Sequence, residues 1–457
     1  MGTLRRLPSA PRPDWQARAR QIGYTYFRNE DGSPAWREDM RYDFSPQAVQ
    51  TLRRVTEDLH TLCLRVVDDA INTPGGLDVF HIPPLVQDVV RASWRRDEPF
   101  LLGRFDFAWC DGQPKLIEYN ADTPATVPES TRMQSLWRAE VAPQAEQMPL
   151  DAGRIVARLL QLRAEARVSQ TLHIVPYPDN TEDAVHARYY RDWAQQAGLE
   201  TVQCELRDLE ISTRGHLLHK GRVVRSMLRM YPWELMFRDP GARHLAQCGC
   251  VFLNPPWTAL LSNKALLPVL WQRYPEHPNL LPAGFDPAAV TAHRPGSWYV
   301  EKPIHARGGE NVRLLKAGRI LCAEGGTYGA YPKVYQAFAD HSIQGVTASV
   351  GAWVIGTVLR ALPCGRVLTG LSAIHRPLCP IPSGGAVLSP GCWAGDKTGH
   401  GGCPPCATPE RLTWREKGEP VQAFLFSSSS SSSSSQSSSS PASNTSSTVT
   451  VPVVSPS

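Results

Sequence analysis

The sequence predicts an α/β (α+β) chain, on the strength of three stretches. "TLHIVPYPDNTEDAVHARYYRDWAQQAGLETVQCEL", from residue 171, reads as a strand, a helix from near Thr181 to near Gly198, and a second strand, the pattern of a βαβ unit. "DFSPQAVQTLRRVTEDLHTLCLRVVDDAI" reads as one long amphipathic helix, and "GSWYVEKPIHARGGENVRLL" as a strand, a glycine-containing loop and a strand. At 457 residues, 42% of them hydrophobic, the chain has length for two or three domains and a sizeable core.

Each element has a local cause. In the long helix Ser45 is placed to cap the N-terminus and Pro46 to occupy the first turn, where its missing N–H costs nothing. Val49, Leu52, Val55, Leu59, Leu62, Val66 and Ala70 then recur at three- and four-residue steps and form one apolar stripe. No run approaches the roughly 18 apolar residues of a membrane-spanning helix, and the basic start "MGTLRRLPSAPRPDW" lacks the apolar core of a signal peptide. The expectation is a cytoplasmic protein with no membrane and no nucleic-acid partner, since a net charge of +5 without blocks of like charge makes a poor polyanion surface. The cysteines up to residue 356, Cys110, Cys248 and Cys250 among them, form no tight framework and read as reduced core or surface thiols.

The texture changes after Gly356. Residues 357–426 hold nine prolines, ten glycines and five cysteines with little sustained periodicity, and residues 427–457 are a serine tract with a Ser/Thr/Pro/Val tail, too polar to offset the entropy of ordering. Cys379, Cys392, Cys403 and Cys406, with His375 and His400, include a single C-x-x-C pair. Their unequal spacings make a Gly/Pro-rich tail the simpler reading than a zinc site.

The chemistry gathers in "GRFDFAWCDGQPKLIEYNAD", residues 103–122. Strand alternation puts Arg104 and Asp106 on one face of the first run, against Phe105, Phe107 and Trp109 on the other. In the second run Glu118 and Asn120 oppose Ile117 and Tyr119. A strict two-residue Asp111-Gly112 turn would pair Asp106 with Ile117 and place Glu118 on the wrong side. A connection of three or five residues, closed near Pro114, pairs Asp106 with Glu118 and Arg104 with Asn120, so a longer loop is expected. Two opposed carboxylates repel and need a counter-charge, which Arg104 supplies in part. Two acids and an amide are also oxygen donors of the kind that Mg²⁺ prefers. The competing reading is an ordinary solvated face.

"GRFDF" and "KLIEYNADTP", with "RPDWQARARQIGYTY", "NPPWTALLSNKALLPVLW", "YVEKPIHARGGENV" and "YPKVYQAF", resemble in order the motifs of the synthetase domain of the glutathionylspermidine synthase family. The resemblance covers residues 12–356, without the amidase domain that some members carry. It implies an ATP-grasp-type ligase fold with a pre-ATP-grasp α/β subdomain. The implied reaction is ATP- and Mg²⁺-dependent: a small carboxylate, such as a glutathione-like peptide or an amino acid, becomes an acyl phosphate that a spermidine-like amine attacks. The matching positions imply metal ligation by Asp106, Glu118 and Asn120, catalysis by Arg104, and nucleotide binding by Lys302 and Lys333.

Gly308 and Gly309 add a physical reading, because glycines let backbone N–H groups approach phosphate oxygens. The order "RGGEN" leaves Gly308 where the family usually has a Glu. After "SVGAWVIG" the chain departs further, reading "TVLRALPCGRVLTGLSAIHRPLCPIPSGG" in place of the family's closing segment, so the phosphate-binding arginine expected there has only Arg360 or Arg366 as substitutes. The alternative expectation is therefore a catalytically impaired nucleotide-binding protein.

Overall fold

The computed structural model of the chain describes residues 2–356, apart from 30, 31, 33 and 294, and the backbone of Leu371–Ile374 and Arg415–Glu416. Arg360, Arg366, the C-terminal cysteines with His375 and His400, and the serine tract lie outside the described residues.

The long helix, α1, spans Pro46–Asn72, and the Ser45 hydroxyl accepts from the Ala48 N–H as its cap (3.2 Å). The predicted stripe is buried from Leu52 through Ala70, while Val49 stays half-buried at the rim of a cleft. α1 lies on the apolar face of an antiparallel sheet that contains the hairpin β1 (Leu102–Cys110) and β2 (Gln113–Asn120). Phe105 stacks on Tyr119 with ring centroids 3.7 Å apart, and the Tyr119 hydroxyl meets Nδ1 of His60 from α1 (2.9 Å). Every second residue of β1 is thereby committed to the core, which leaves Arg104 and Asp106 on the opposite face.

The predicted βαβ unit is present as β3 (Thr171–Val175), α2 (Thr181–Gln196) and β4 (Glu200–Gln203), with β3 and β4 parallel. Asn180 caps α2 by accepting from the Asp183 N–H (2.9 Å), and Gly198, at φ +74°, ends it in the left-handed conformation that favours glycine. With β5 (Ser226–Arg229) and β6 (Val251–Leu253) these strands form a parallel sheet in the order β6-β5-β3-β4. A third sheet is built from β7 (Ala283–Gly284), β8 (Trp298–Pro303), β9 (Arg313–Lys316), β10 (Arg319–Ala323) and β11 (Lys333–Ala337), all antiparallel, in the order β7-β11-β8-β9-β10. The strand–loop–strand reading of "GSWYVEKPIHARGGENVRLL" corresponds to β8 and β9.

β12 (Ser349–Ile355) returns to pair with β1, and the backbone of β13 (Leu371–Ile374) pairs with β12, giving the order β13-β12-β1-β2. β2 is thus an edge strand. The hairpin has the expected partners, Arg104 with Asn120 and Asp106 with Glu118, but not the expected loop. Cys110 pairs with Gln113 across a two-residue Asp111-Gly112 turn, both residues at positive φ (+50° and +74°) as a type I′ turn requires. A bulge shifts the register between Asp106 and Phe107, Phe107 facing Leu116, so that Ile117 is the extra residue. Ile117 consequently lines the cleft, a correction to its expected place on the apolar face.

The bulge also explains how the exposed edge is covered. Consecutive carbonyls of a regular strand point to opposite edges, yet Leu116 and Ile117 both turn theirs to the third sheet: Gln336 Nε2 donates to Leu116 O (2.9 Å) and Lys302 Nζ to Ile117 O (3.1 Å). Asn279 completes the edge, its carbonyl accepting from the Leu116 N–H (2.8 Å) and its amide donating to Pro114 O (2.7 Å). Since the I′ turn demands positive φ at Gly112, Gly112→Ala is expected to cost about 1–2 kcal/mol, read as a lowered urea midpoint. Asp111→Asn should leave the midpoint nearly unchanged, because Asn tolerates that conformation.

Candidate active site

The polar face of the hairpin forms the floor of an open cleft of about 3130 Å³, lined by strand residues of the hairpin sheet and the third sheet and by the segments that follow β3, β4 and β5. That is several times the roughly 300–1,000 Å³ of a pocket for one small ligand, so the cleft has room for more than one substrate. The Arg104 guanidinium holds Asp106 with two bonds, Nε to Oδ1 (2.6 Å) and Nη2 to Oδ2 (2.9 Å). Its remaining nitrogen, Nη1, donates to Ala125 O (2.6 Å) and Thr126 Oγ1 (3.0 Å). Thr126 sits at φ +66°, an uncommon conformation for a β-branched residue, at the point where the chain leaves β2 and turns under the arginine.

Asn120 bridges the two acids, its Nδ2 lying 3.3 Å from Asp106 Oδ2 and 3.0 Å from Glu118 Oε1. The other oxygen of Glu118 lies 3.2 Å from the Lys264 ammonium. Burial pushes the Asp106 carboxyl above its ordinary range in spite of Arg104. Burial acts the same way on Glu118, but the charges of Lys264 and Lys302, the Asn120 amide and Arg104 outweigh it and hold that carboxyl at about 2. Opposed carboxylates therefore persist because cations from three separate elements surround them.

Lys302, 5% exposed near the end of β8, points at the same place. Its ammonium is held by Ile117 O and by Gln336 Oε1 (2.8 Å), and burial lowers it to about 8 although Glu118 favours its charge. Gly308 and Gly309 also line the cleft, both at positive φ (+62° and +80°). Between Lys302 and these glycines, Arg307 crosses to the end of the hairpin, where Nη2 donates to Thr123 Oγ1 (2.7 Å). Lys333 is the predicted residue that the structure does not bring to the group: its ammonium is turned to Gly329 O (2.8 Å), outside the cleft lining.

Several residues with evident roles were not assigned from the sequence. Lys264 and Gln336 stand in stretches quoted above, "NPPWTALLSNKALLPVLW" and "YPKVYQAF", but nothing local marks them as partners of Glu118 and Lys302. Asp122 follows Asn120 by two residues and is buried against Arg229 (2.6 Å), with its second oxygen accepting from the Trp233 N–H (2.7 Å). Ser262 Oγ accepts from the Ala121 and Asp122 N–H groups (2.8 and 2.7 Å), and Asn254 Nδ2 donates to Asp122 O (3.0 Å). The end of β2 is thus pinned within two residues of Asn120.

Among the described residues no three His, Cys, Asp or Glu side chains gather as a metal cluster. The donors available are two carboxylates and an amide. A carboxylate held ionised beside a second one suits a hard divalent cation, and Asn120, which presents its nitrogen to both acids here, adds an oxygen when its amide turns over.

A family model described as glutathionylspermidine synthase preATP-grasp matches residues 6–365. A protein of Haemophilus influenzae provisionally named an acid–amine ligase is 30% identical over 370 residues, covering 78% of this chain and 93% of that protein. The trypanothione synthetase of Crithidia fasciculata and the bifunctional glutathionylspermidine synthetase/amidase of Escherichia coli K12 are each 27% identical, over 70% of this chain but only 55% and 56% of their own lengths. Among solved structures, a provisional gamma-glutamylcysteine synthetase of Methylobacillus flagellatus KT aligns at 9% identity over 73% of this chain and 88% of that one, with a TM-score of 0.36, too remote to bear on the reading. With the hairpin, the lysine of β8 and the glycine loop all inside the matched residues, the chain belongs to the glutathionylspermidine synthase preATP-grasp family.

Proposed function

We propose that residues 12–356 form an ATP- and Mg²⁺-dependent ligase that joins a small carboxylate to an amine. The observation that carries this reading is the Asp106–Glu118 pair, set face to face by the bulge and ringed by Arg104, Lys264 and Lys302 on the floor of a cleft large enough for several substrates. Asp106, Glu118 and Asn120 would hold Mg²⁺, which neutralises phosphate charge when bound. Lys302, and Lys333 one strand away opposite Pro303, are the proposed nucleotide lysines, and Gly308 and Gly309 give the phosphates backbone N–H donors.

In the proposed reaction a carboxylate oxygen of the acid attacks the γ-phosphorus of ATP, and the bond to ADP breaks. The amine nitrogen then attacks the acyl carbon, the C–N bond forms and phosphate leaves. Arg104 supplies fixed positive charge at the transferring group while Thr126 and the Ala125 carbonyl keep its plane in place. The relatives' names point to a glutathione-like acid and a spermidine-like amine as the first substrates to try.

A second reading, nucleotide binding without turnover, is favoured by the departure of the sequence from the family after Gly356. ADP release by the purified chain with Mg²⁺, ATP and a panel of acids and amines separates the two. Release that depends on both an acid and an amine supports the ligase, whereas tight Mg-ATP binding with no release under any pair supports the second reading.

Glu118→Ala is expected to weaken Mg-ATP binding in calorimetry while leaving the circular dichroism spectrum unchanged, since Glu118 fills no part of the apolar core. Parent-like affinity would remove Glu118 from the site. Lys302→Met should weaken nucleotide binding by about 1–3 kcal/mol, the value of a lost charge-assisted bond. The lowered position of Lys302 also fixes a pH dependence. The ammonium loses its proton as pH rises through about 8, so nucleotide affinity should fall across that interval in the parent and stay flat in Lys302→Met.

A further inference from the structure

Thr126 holds its uncommon backbone conformation, φ +66°, while its hydroxyl is one of the two groups that fix Nη1 of Arg104 (3.0 Å). A β-branched residue stays in the left-handed region only where its surroundings over-determine it. Here the peptide group that joins Thr126 to Val127 is held at both ends. Its carbonyl accepts from the Ser130 N–H (3.0 Å), and its N–H donates to Nε2 of His186 (3.3 Å). Val127 is fully buried in one apolar cluster with Leu101, Val185 and Tyr190, so the peptide is also fixed from the core side.

His186 stands on α2 and is 2% exposed. Its Nδ1 lies 2.8 Å from the Glu182 carbonyl, which can only accept, so the ring hydrogen sits on Nδ1 and Nε2 is left as the acceptor that the Val127 N–H needs. Glu182 and Asp183, in the first turn of α2, line the cleft. One imidazole therefore ties that wall to the strained turn under Arg104. From the helix the contacts run through Val127 and Thr126 to Nη1, whereas Nε and Nη2 of the same guanidinium are on Asp106 (2.6 and 2.9 Å).

We propose that His186 is a positioning residue for Arg104: by accepting from the Val127 N–H it keeps Thr126 in the left-handed conformation, and Thr126, with the Ala125 carbonyl beside it, keeps the guanidinium plane aligned on Asp106. The proposal rests on the ligase reading for its purpose but not for its test. The role needs an acceptor at the position of Nε2. Gln reproduces it, because its Oε1 stands as many bonds from Cβ as Nε2 does. Asn reaches only as far as Nδ1, and Leu has no acceptor.

The test is the exchange with water of the Arg104 Nε hydrogen, followed by NMR on the full chain carrying ¹⁵N-arginine and assigned by its loss in Arg104→Lys. That hydrogen is released when the pair with Asp106 opens, and the anchor at Nη1 opposes the opening. The Arg12 Nε hydrogen, on Glu38 Oε2 (2.9 Å) in another buried pair, is the internal reference, since a general loosening of the fold would move both. His186→Leu and His186→Asn should speed the Arg104 exchange several-fold and leave that of Arg12 unchanged, while His186→Gln exchanges like the parent. If His186→Leu does not fold, the Asn and Gln variants carry the comparison. Parent-like Arg104 exchange in the Asn variant, a Gln variant as fast as the Asn one, or Arg12 exchange rising in step with that of Arg104 would overturn the assignment. Where ADP release depends on an acid and an amine, His186→Asn should lower kcat several-fold with the Mg-ATP Kd unchanged, and a parent-like kcat would overturn it as well. A parent chain that releases no ADP ends the ligase reading, and the exchange result then decides this inference by itself.

Discussion

Two carboxylates facing each other across neighbouring strands are unfavourable unless positive charge is fixed around them, and that requirement organises this molecule. Arg104 comes from the same hairpin, Lys264 from the segment before α3 (Leu266–Arg273), and Lys302 from β8 in a different sheet. Each cation is itself largely buried, so each needs the acids as much as the acids need it. The cleft floor is held by this mutual neutralisation, while the apolar backs of β1 and β12 on α1 hold the strands that carry it. Removing one cation would leave a buried charge uncompensated and disturb elements distant in sequence.

Around that centre runs a shell of neutral hydrogen bonds that fix positions without adding charge. Gln336 steadies Lys302 and caps Leu116 at once, Ser262 and Asn254 hold the backbone around Asp122, and Thr126 braces Arg104. The Asp122–Arg229 pair is the one fully buried ion pair in this shell, and its second carboxylate oxygen is met by the Trp233 backbone, so no acceptor is left empty there. The proposed site residues Arg104, Asp106, Glu118, Asn120 and Lys302 thus all stand on strands.

Much of this was legible in the sequence where a pattern is local. The α1 stripe, the Ser45 cap, the βαβ unit and the β8–β9 pair each follow from spacing within a few tens of residues, and each is present. The pairing of Asp106 with Glu118 was legible for a partly mistaken reason: the alternation of polar and apolar residues demanded a one-residue shift, which was assigned to the loop. The structure makes the shift inside β2, because Asp111-Gly112 suits a two-residue turn and a bulge at Ile117 supplies the extra residue. Bulges carry no composition signal in a run such as "KLIEYN". Lys264, Gln336 and Asp122 were illegible for another reason, since their partners are brought near only by the packing of separate sheets. Lys333 shows the converse, a motif lysine whose side chain here turns to nearby carbonyls and away from the cleft.

The covering of the β2 edge has a mechanical consequence. The hairpin sheet meets the β8–β11 sheet through the side chains of Gln336 and Lys302 on main chain, and Asn279 adds one backbone and one side-chain bond, with no continuous β ladder between the sheets. A swing of one sheet against the other would break a handful of such bonds and leave every strand pairing intact. The edge is closed to chance pairing with a foreign strand, and it is closed by a seam far weaker than a β ladder.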